Sequence, residues 1–276
     1  MSNPADRPAQ GSGTPPESID KPASPAQNNE SRVGGSPMAY IGVLAVTGAV
    51  AAAVMSKVIE DYGRPFQLPP EATAGIGVAP TPAQSARVTA AKRIRDGKNL
   101  YVTFALMGGG IGLAFGVVLG LMRGSPRAAL LGFAGGAVFG AGLGAAGAFA
   151  VRFVGDLANS STSLESEHKI IFAHLAGWAV TGLGVGLGAG FAMLERRALL
   201  RGSLAAFAGG LIGGGIYVPV AAVLMPSVDT DLIIPDSWTA KLVWMALPAV
   251  LMGVSLGRAL SASHARPAAA DIVRAG

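Results

Sequence analysis

Apolar residues in this chain come in blocks of about twenty, the length that crosses a bilayer, separated by short stretches rich in charge, proline and serine. Inside the blocks there is neither the alternation of a half-buried strand nor the single apolar stripe of a water-soluble helix; the blocks are apolar all round, as helices in lipid are. They predict spans over Met38–Val58, 99–122, 128–151, 170–194, 202–225 and 239–260. The expected fold is therefore all-α: a polytopic membrane protein of about six transmembrane helices.

The polar stretches divide the rest. Residues 1–37 are rich in Pro, Ser, Asn and Gln and hold almost no large apolar side chains, so they read as a disordered N-terminal tail. They have no basic n-region running straight into an apolar segment and do not read as a signal peptide. A cleavable signal beginning near Met38 is the competing reading, since Ala51 to Ser56 is rich in small residues, although a basic n-region is missing there too. Residues 59–98 form a polar, proline-rich connector. Its first part is irregular, and its second, Ala83 to Asp96, reads as a short basic helix capped by Gly97 and lying on a surface or simply solvated. Residues 261–276 read as a loose C-terminal tail.

Within the spans glycine follows a register. It falls at Gly108, Gly112, Gly116, Gly120 and Gly124, and the pattern returns 74 residues later at Gly182, Gly186 and Gly190. A second rail runs through Gly132, Gly136, Gly140 and Gly144, with Gly210 and Gly214 matching Gly136 and Gly140 at the same offset. Arg123 and Arg127 align with Arg197 and Arg201, and Phe133-Ala-Gly-Gly136 aligns with Phe207-Ala-Gly-Gly210. The chain thus divides into a first helical hairpin and loop, 99–168, and a second, 169–238, repeated in tandem and in the same orientation. Glycine costs a water-exposed helix about 1 kcal/mol relative to alanine. In hydrocarbon the helix persists, and a GxxxG face lets two backbones meet. Apart from Gly124, which falls in the turn, these thirteen rail glycines are read as helix-packing residues, and the four arginines as turn residues at the lipid headgroups.

Composition agrees: 51% of the 276 residues are hydrophobic, only 13% are charged, and 40 are glycine. The net charge of +5 sits in turns and termini, which suits anionic lipid headgroups and not nucleic acid. With no cysteine there is no thiolate nucleophile and no Cys-type metal site. Arginines at the N-terminal side of the spans (Arg32, Arg123, Arg127, Arg196, Arg197, Arg201 and the C-terminal Arg258, Arg266 and Arg274), against only Arg152, Lys169 and Lys241 in the two later loops of the other side, favour both termini inside a bacterial-type cytoplasmic membrane. The connector, with Arg64, Arg87, Lys92, Arg93, Arg95 and Lys98, pulls the other way.

Little here carries chemistry. Gly253-Val-Ser255-Leu-Gly257 spells G-x-S-x-G, but inside an apolar span, where its glycines serve packing better than a nucleophile elbow. His174 is the ionisable side chain expected inside a span. It reads as a neutral imidazole bonded to a neighbouring helix, or as a proton or ion site. Asp229, Asp231 and Asp236, with Glu165, Glu167 and His168, read as solvated loop acids, without the pinned spacing of a cation site. No cofactor and no catalytic or metal-binding residues are expected.

The rails joined by short basic turns resemble glycine-zipper hairpins, those of the broad Tim17-type translocase family and of glycine-zipper two-span proteins, over roughly residues 105–215. That resemblance implies tight membrane packing and self-assembly. The expected function is a non-enzymatic packing or scaffold component whose partners are the bilayer and a second copy or another membrane protein. The alternative is a channel or transporter for an ion or small solute, built from the duplicated hairpin.

Overall fold

A computed structural model describes residues 36–75, 80–229 and 232–264. The N-terminal tail, Asp231 and most of the C-terminal tail lie outside the described residues. Seven helices follow one another: α1 (Pro37–Tyr62), α2 (Pro70–Thr73), α3 (Pro82–Met122), α4 (Pro126–Ser160), α5 (Ser166–Met193), α6 (Arg196–Leu224) and α7 (Trp238–His264). All but α2 are long and apolar enough to span a bilayer. The chain is an all-α integral membrane protein.

Three of the long helices begin with the same local device, a serine or threonine followed by proline. Ser36, Thr81 and Ser125 each accept a hydrogen bond from a backbone N–H of the first turn, and the next residue is a proline whose missing N–H costs nothing there. Thr81 and Gln84 complete a reciprocal capping box. That cap fixes where the main departure from the expected elements begins. The basic segment after Pro82 and the second span are one helix of 41 residues, about 60 Å long, twice the hydrocarbon thickness. Gly97 does not end a helix. It lies inside α3, buried, with the Arg152 guanidinium of α4 against it.

The helices close into a ring in which each packs on its neighbours in the order α3, α4, α5, α6, α7, α1 and back to α3. α5 is the most enclosed and also touches α3 and α7. Large apolar side chains line the outside, among them Val46, Val50 and Val54 on α1, Leu130 and Val138 on α4, and Leu204 and Ile212 on α6. In water such a surface would drive aggregation; in a membrane it is the lipid-facing side. We refer to the end bearing Ser36 and the turns at 123–125 and 194–195 as the N-terminal side, and to the opposite end as the connector side.

The second turn departs from the sequence repeat. The first hairpin turns through Arg123, Gly124 and Ser125, with Gly124 in the left-handed region (φ 65°). The second turns through Leu194 and Glu195 alone, with Leu194 itself left-handed (φ 54°). It comes about four residues earlier than the 74-residue offset requires, which is one helical turn. Arg197 and Arg201 therefore lie on the first turns of α6, whereas Arg123 caps α3 and Arg127 opens α4. The pairing of α6 on α5 slips by two turns (Gly182 faces Ala206 where the offset gives Gly214), and a rail with period four tolerates it because each shift by whole turns again presents a small residue to the neighbour.

Candidate functional site

The packing residues come first, because they hold the site's walls. Between α3 and α4, Gly108 faces Gly140, Gly112 faces Gly136, and Gly116 faces Gly132. Gly120 meets Ala129, and Gly144 meets the carbonyl of Phe104. A Cβ on Gly112 would stand 2.6 Å from the carbonyl oxygen of Gly136. Between α5 and α6, Gly182 faces Ala206, Gly186 faces Gly202, and Gly190 meets Leu199. Gly210 and Gly214 sit under the carbonyls of Trp178 and His174. The opposite face of α5 is also close-packed, with Gly188 on Gly136 and Gly184 on Phe139 of α4. The rails are thus occupied by helices of the same chain. Gly253 and Gly257 do the same for α7 against α1, at Leu44 and Ile41.

These contacts enclose an aromatic nest toward the connector side. Phe104 of α3, His174 and Trp178 of α5, Tyr217 of α6 and Trp244 of α7 are all fully buried. Trp178 and Trp244 meet edge to face at 5.3 Å, Phe104 and Trp244 at 5.7 Å, and His174 and Tyr217 at 5.2 Å. The indole N–H of Trp244 donates to Nδ1 of His174 at 3.1 Å. An indole nitrogen can only donate, so Nδ1 accepts and the imidazole is neutral with its proton on Nε2. Of the two readings of His174, the bond to a neighbouring helix is present. Among the described residues, its Nε2, the Trp178 Nε1 and the Tyr217 hydroxyl find no hydrogen-bond partner. Three buried donors so close together set the nest apart from an ordinary core, where such groups are almost always paired. Ser255 is not brought to His174: it lies eleven positions along α7 from Trp244, about 16 Å at helical rise.

Above the nest, the connector side opens into a cleft of about 970 Å³. Its walls are the charged half of α3 (Arg93, Arg95, Asp96, Gly97), the end of α4 (Arg152, Gly155, Asp156, Asn159) and the start of α5 (Ser166, Lys169). Arg64, Phe66 and the 232–236 loop close the remaining side. Leu100, Val151 and Ala173, each at most 7% exposed, form an apolar floor. The connector is pinned here: the Phe66 N–H donates to Asn99 Oδ1 at 3.0 Å, and Asn99 Nδ2 donates back to the Phe66 carbonyl at 3.1 Å. Thr103, one turn on, donates to the Gly63 carbonyl. A deeper tie joins α1 to α7, where the ammonium of Lys241, a residue 4% exposed, is hydrogen-bonded to Glu60.

The loop acids separate. Asp236 binds Arg64 at 2.8 Å, Glu165 lies 3.7 Å from His168, and among the described residues no three acids or histidines gather as metal ligands. Sequence reading placed Arg152, Lys169 and Lys241 on this side but did not join Arg152 to Gly97 or Lys241 to Glu60. Those partners come from distant parts of the chain and share no local motif. No family model matches the chain, and neither a curated protein nor a solved structure shows significant similarity to it.

Proposed function

We propose that the protein is a non-enzymatic packing and assembly component of a membrane, a rigid six-helix body of the glycine-zipper kind. The observation that carries this reading is the close approach of helix backbones in both hairpins, Gly112 on Gly136 and Gly186 on Gly202. Contacts of this kind gain dispersion energy that bulkier side chains would forfeit, and they resist relative helix movement. A body so built is suited to hold other components in place through its polar ends. A second reading, conduction of an ion or small polar solute, is favoured by the three unpartnered donors of the His174 nest. Purified protein in vesicles decides between them. The first reading expects no proton or ion flux above that of empty vesicles. Flux in the wild type that His174→Ala abolishes would replace it with the second.

The proposed setting is a bacterial-type cytoplasmic membrane with both termini inside. Arg123, Arg127, Arg197 and Arg201 flank the N-terminal-side turns, against Arg152 and Lys169 opposite and the basic half of α3. Because the chain has no cysteine, single cysteines report orientation directly. Gly124→Cys is expected to resist a membrane-impermeant maleimide added outside intact cells, and Ser163→Cys to react. The opposite pattern would invert the topology.

A further inference from the structure

The cleft carries more positive charge than its own acids neutralise, and the surplus is placed. Its three carboxylates are each matched by an arginine: Asp236 by Arg64, Asp156 by Arg93 at 3.2 Å, and Asp96 by Arg95 at 2.6 Å. Arg152 and Lys169 remain, and among the described residues neither has an acidic partner. They come from different helices, α4 and α5, and both line the same cavity. Arg152 is also seated. Its Nη1 lies 2.7 Å from where a Cβ on Gly97 would be, so a side chain at this point of α3 would push the guanidinium from its present seat. The glycine itself costs the helix about 1 kcal/mol relative to alanine. On α4, a Cβ on Gly155 would meet nothing within 4 Å, so the wall next to Arg152 stands open.

We propose that this cleft is a binding site for a phosphate-bearing amphiphile, with its phosphate held between Arg152 and Lys169 and its apolar part on Leu100, Val151 and Ala173. A guanidinium offers a planar pair of N–H donors to phosphate oxygens, and an ammonium adds a point charge. Two cations without an acidic partner of their own favour an anion. The apolar floor beneath them favours a ligand with a hydrocarbon portion over a bare ion. A divalent cation is disfavoured, because every carboxylate in the cleft is already engaged. A phospholipid and a soluble organic phosphate share this chemistry.

The test uses the full chain in an uncharged detergent, titrated with a short-chain, water-soluble phosphatidylglycerol, the matching phosphatidylcholine, and inorganic phosphate. Saturable binding of the phosphatidylglycerol, and not of the phosphatidylcholine, is expected. Competition by inorganic phosphate would identify phosphate as the recognised group and point to a soluble ligand; no competition would point to the lipid. Arg152→Gln and Lys169→Gln should each weaken binding by about tenfold or more, the worth of one charge-assisted hydrogen bond. Gly97→Leu, which displaces Arg152 from the other helix without removing a charge, should weaken it similarly. Lys57→Gln, which removes a positive charge on α1 outside the cleft, should leave it unchanged. Each variant is scored only with a wild-type thermal transition. Should one of the cleft variants lose it, the other two carry the test. The proposal is overturned if the phosphatidylglycerol does not saturate, if the phosphatidylcholine binds equally well, if Lys57→Gln weakens binding as much as Arg152→Gln, or if stable cleft variants bind like the wild type.

Discussion

Gly112→Leu and Gly186→Leu are each expected to abolish the folded bundle, whereas Gly142→Leu, in the equally glycine-rich α4, is expected to leave it intact. At Gly112 the nearest atoms to an added Cβ are the carbonyl oxygen, carbonyl carbon and Cα of Gly136, at 2.6, 3.3 and 3.4 Å. At Gly186 the Gly202 carbonyl and the Ser203 Cα, the latter at 2.5 Å, close the space. All of these are backbone atoms, so no flexible side chain can move aside. The helices would have to separate along much of their length. Overpacking an interior by a few methylenes costs about 1–3 kcal/mol, and a leucine against a rigid backbone belongs at or above that range. Around Gly142 nothing lies within 4 Å, and an added side chain would point into lipid. Thermal unfolding in detergent, followed by circular dichroism and size-exclusion retention, checks this. Wild-type transitions for both rail variants would refute the packing role of the glycines.

Glu60→Leu is expected to destabilise the protein strongly, by about 3 kcal/mol, and Lys241→Met to do so less; the double variant should recover most of the loss. Glu60 stands near the connector-side end of α1, and Lys241 in the first turn of α7. The Lys241 side chain is 5% exposed and that of Glu60 39%. Removing the glutamate leaves an ammonium buried without a counter-charge. Removing the lysine leaves a carboxylate that water still reaches. The half-wet glutamate places the expected loss at the lower end of what breaking a buried pair costs. Equal effects from the two single changes, or a double variant no better than Glu60→Leu, would show that the pair is not coupled in this way. The measurement is a double-mutant cycle on the unfolding midpoint.

The two variants probe different kinds of information. The rail glycines can be picked out from sequence because close packing in a membrane demands small residues at helical spacing, and that demand repeats along one element. Glu60 and Lys241 are ordinary charges at the ends of apolar runs, and nothing local to either predicts the other. The cleft is of the second kind. Arg152 reads from sequence as a loop charge beyond the third span. Only the continuation of α4 to Ser160, beside an equally extended α3, places its guanidinium over Gly97. Gly97 itself has the local signature of a helix stop, a glycine closing a basic stretch. Tertiary contact overrides that signature, because the cost of one glycine in a helix is small beside the packing on either side.

Local chemistry determined the number and type of spans, the starts of three helices at Ser-Pro or Thr-Pro, and the residues able to bring backbones together. Each of these depends on a stretch of chain no longer than one helix. The tertiary structure decided which rail meets which. It moved the second hairpin turn by one helical turn relative to the repeat, since a four-residue period is satisfied equally well by several registers. It also assembled the His174 nest and the cationic cleft. Their members come from up to four helices, and only the closing of the helical ring sets their spacing.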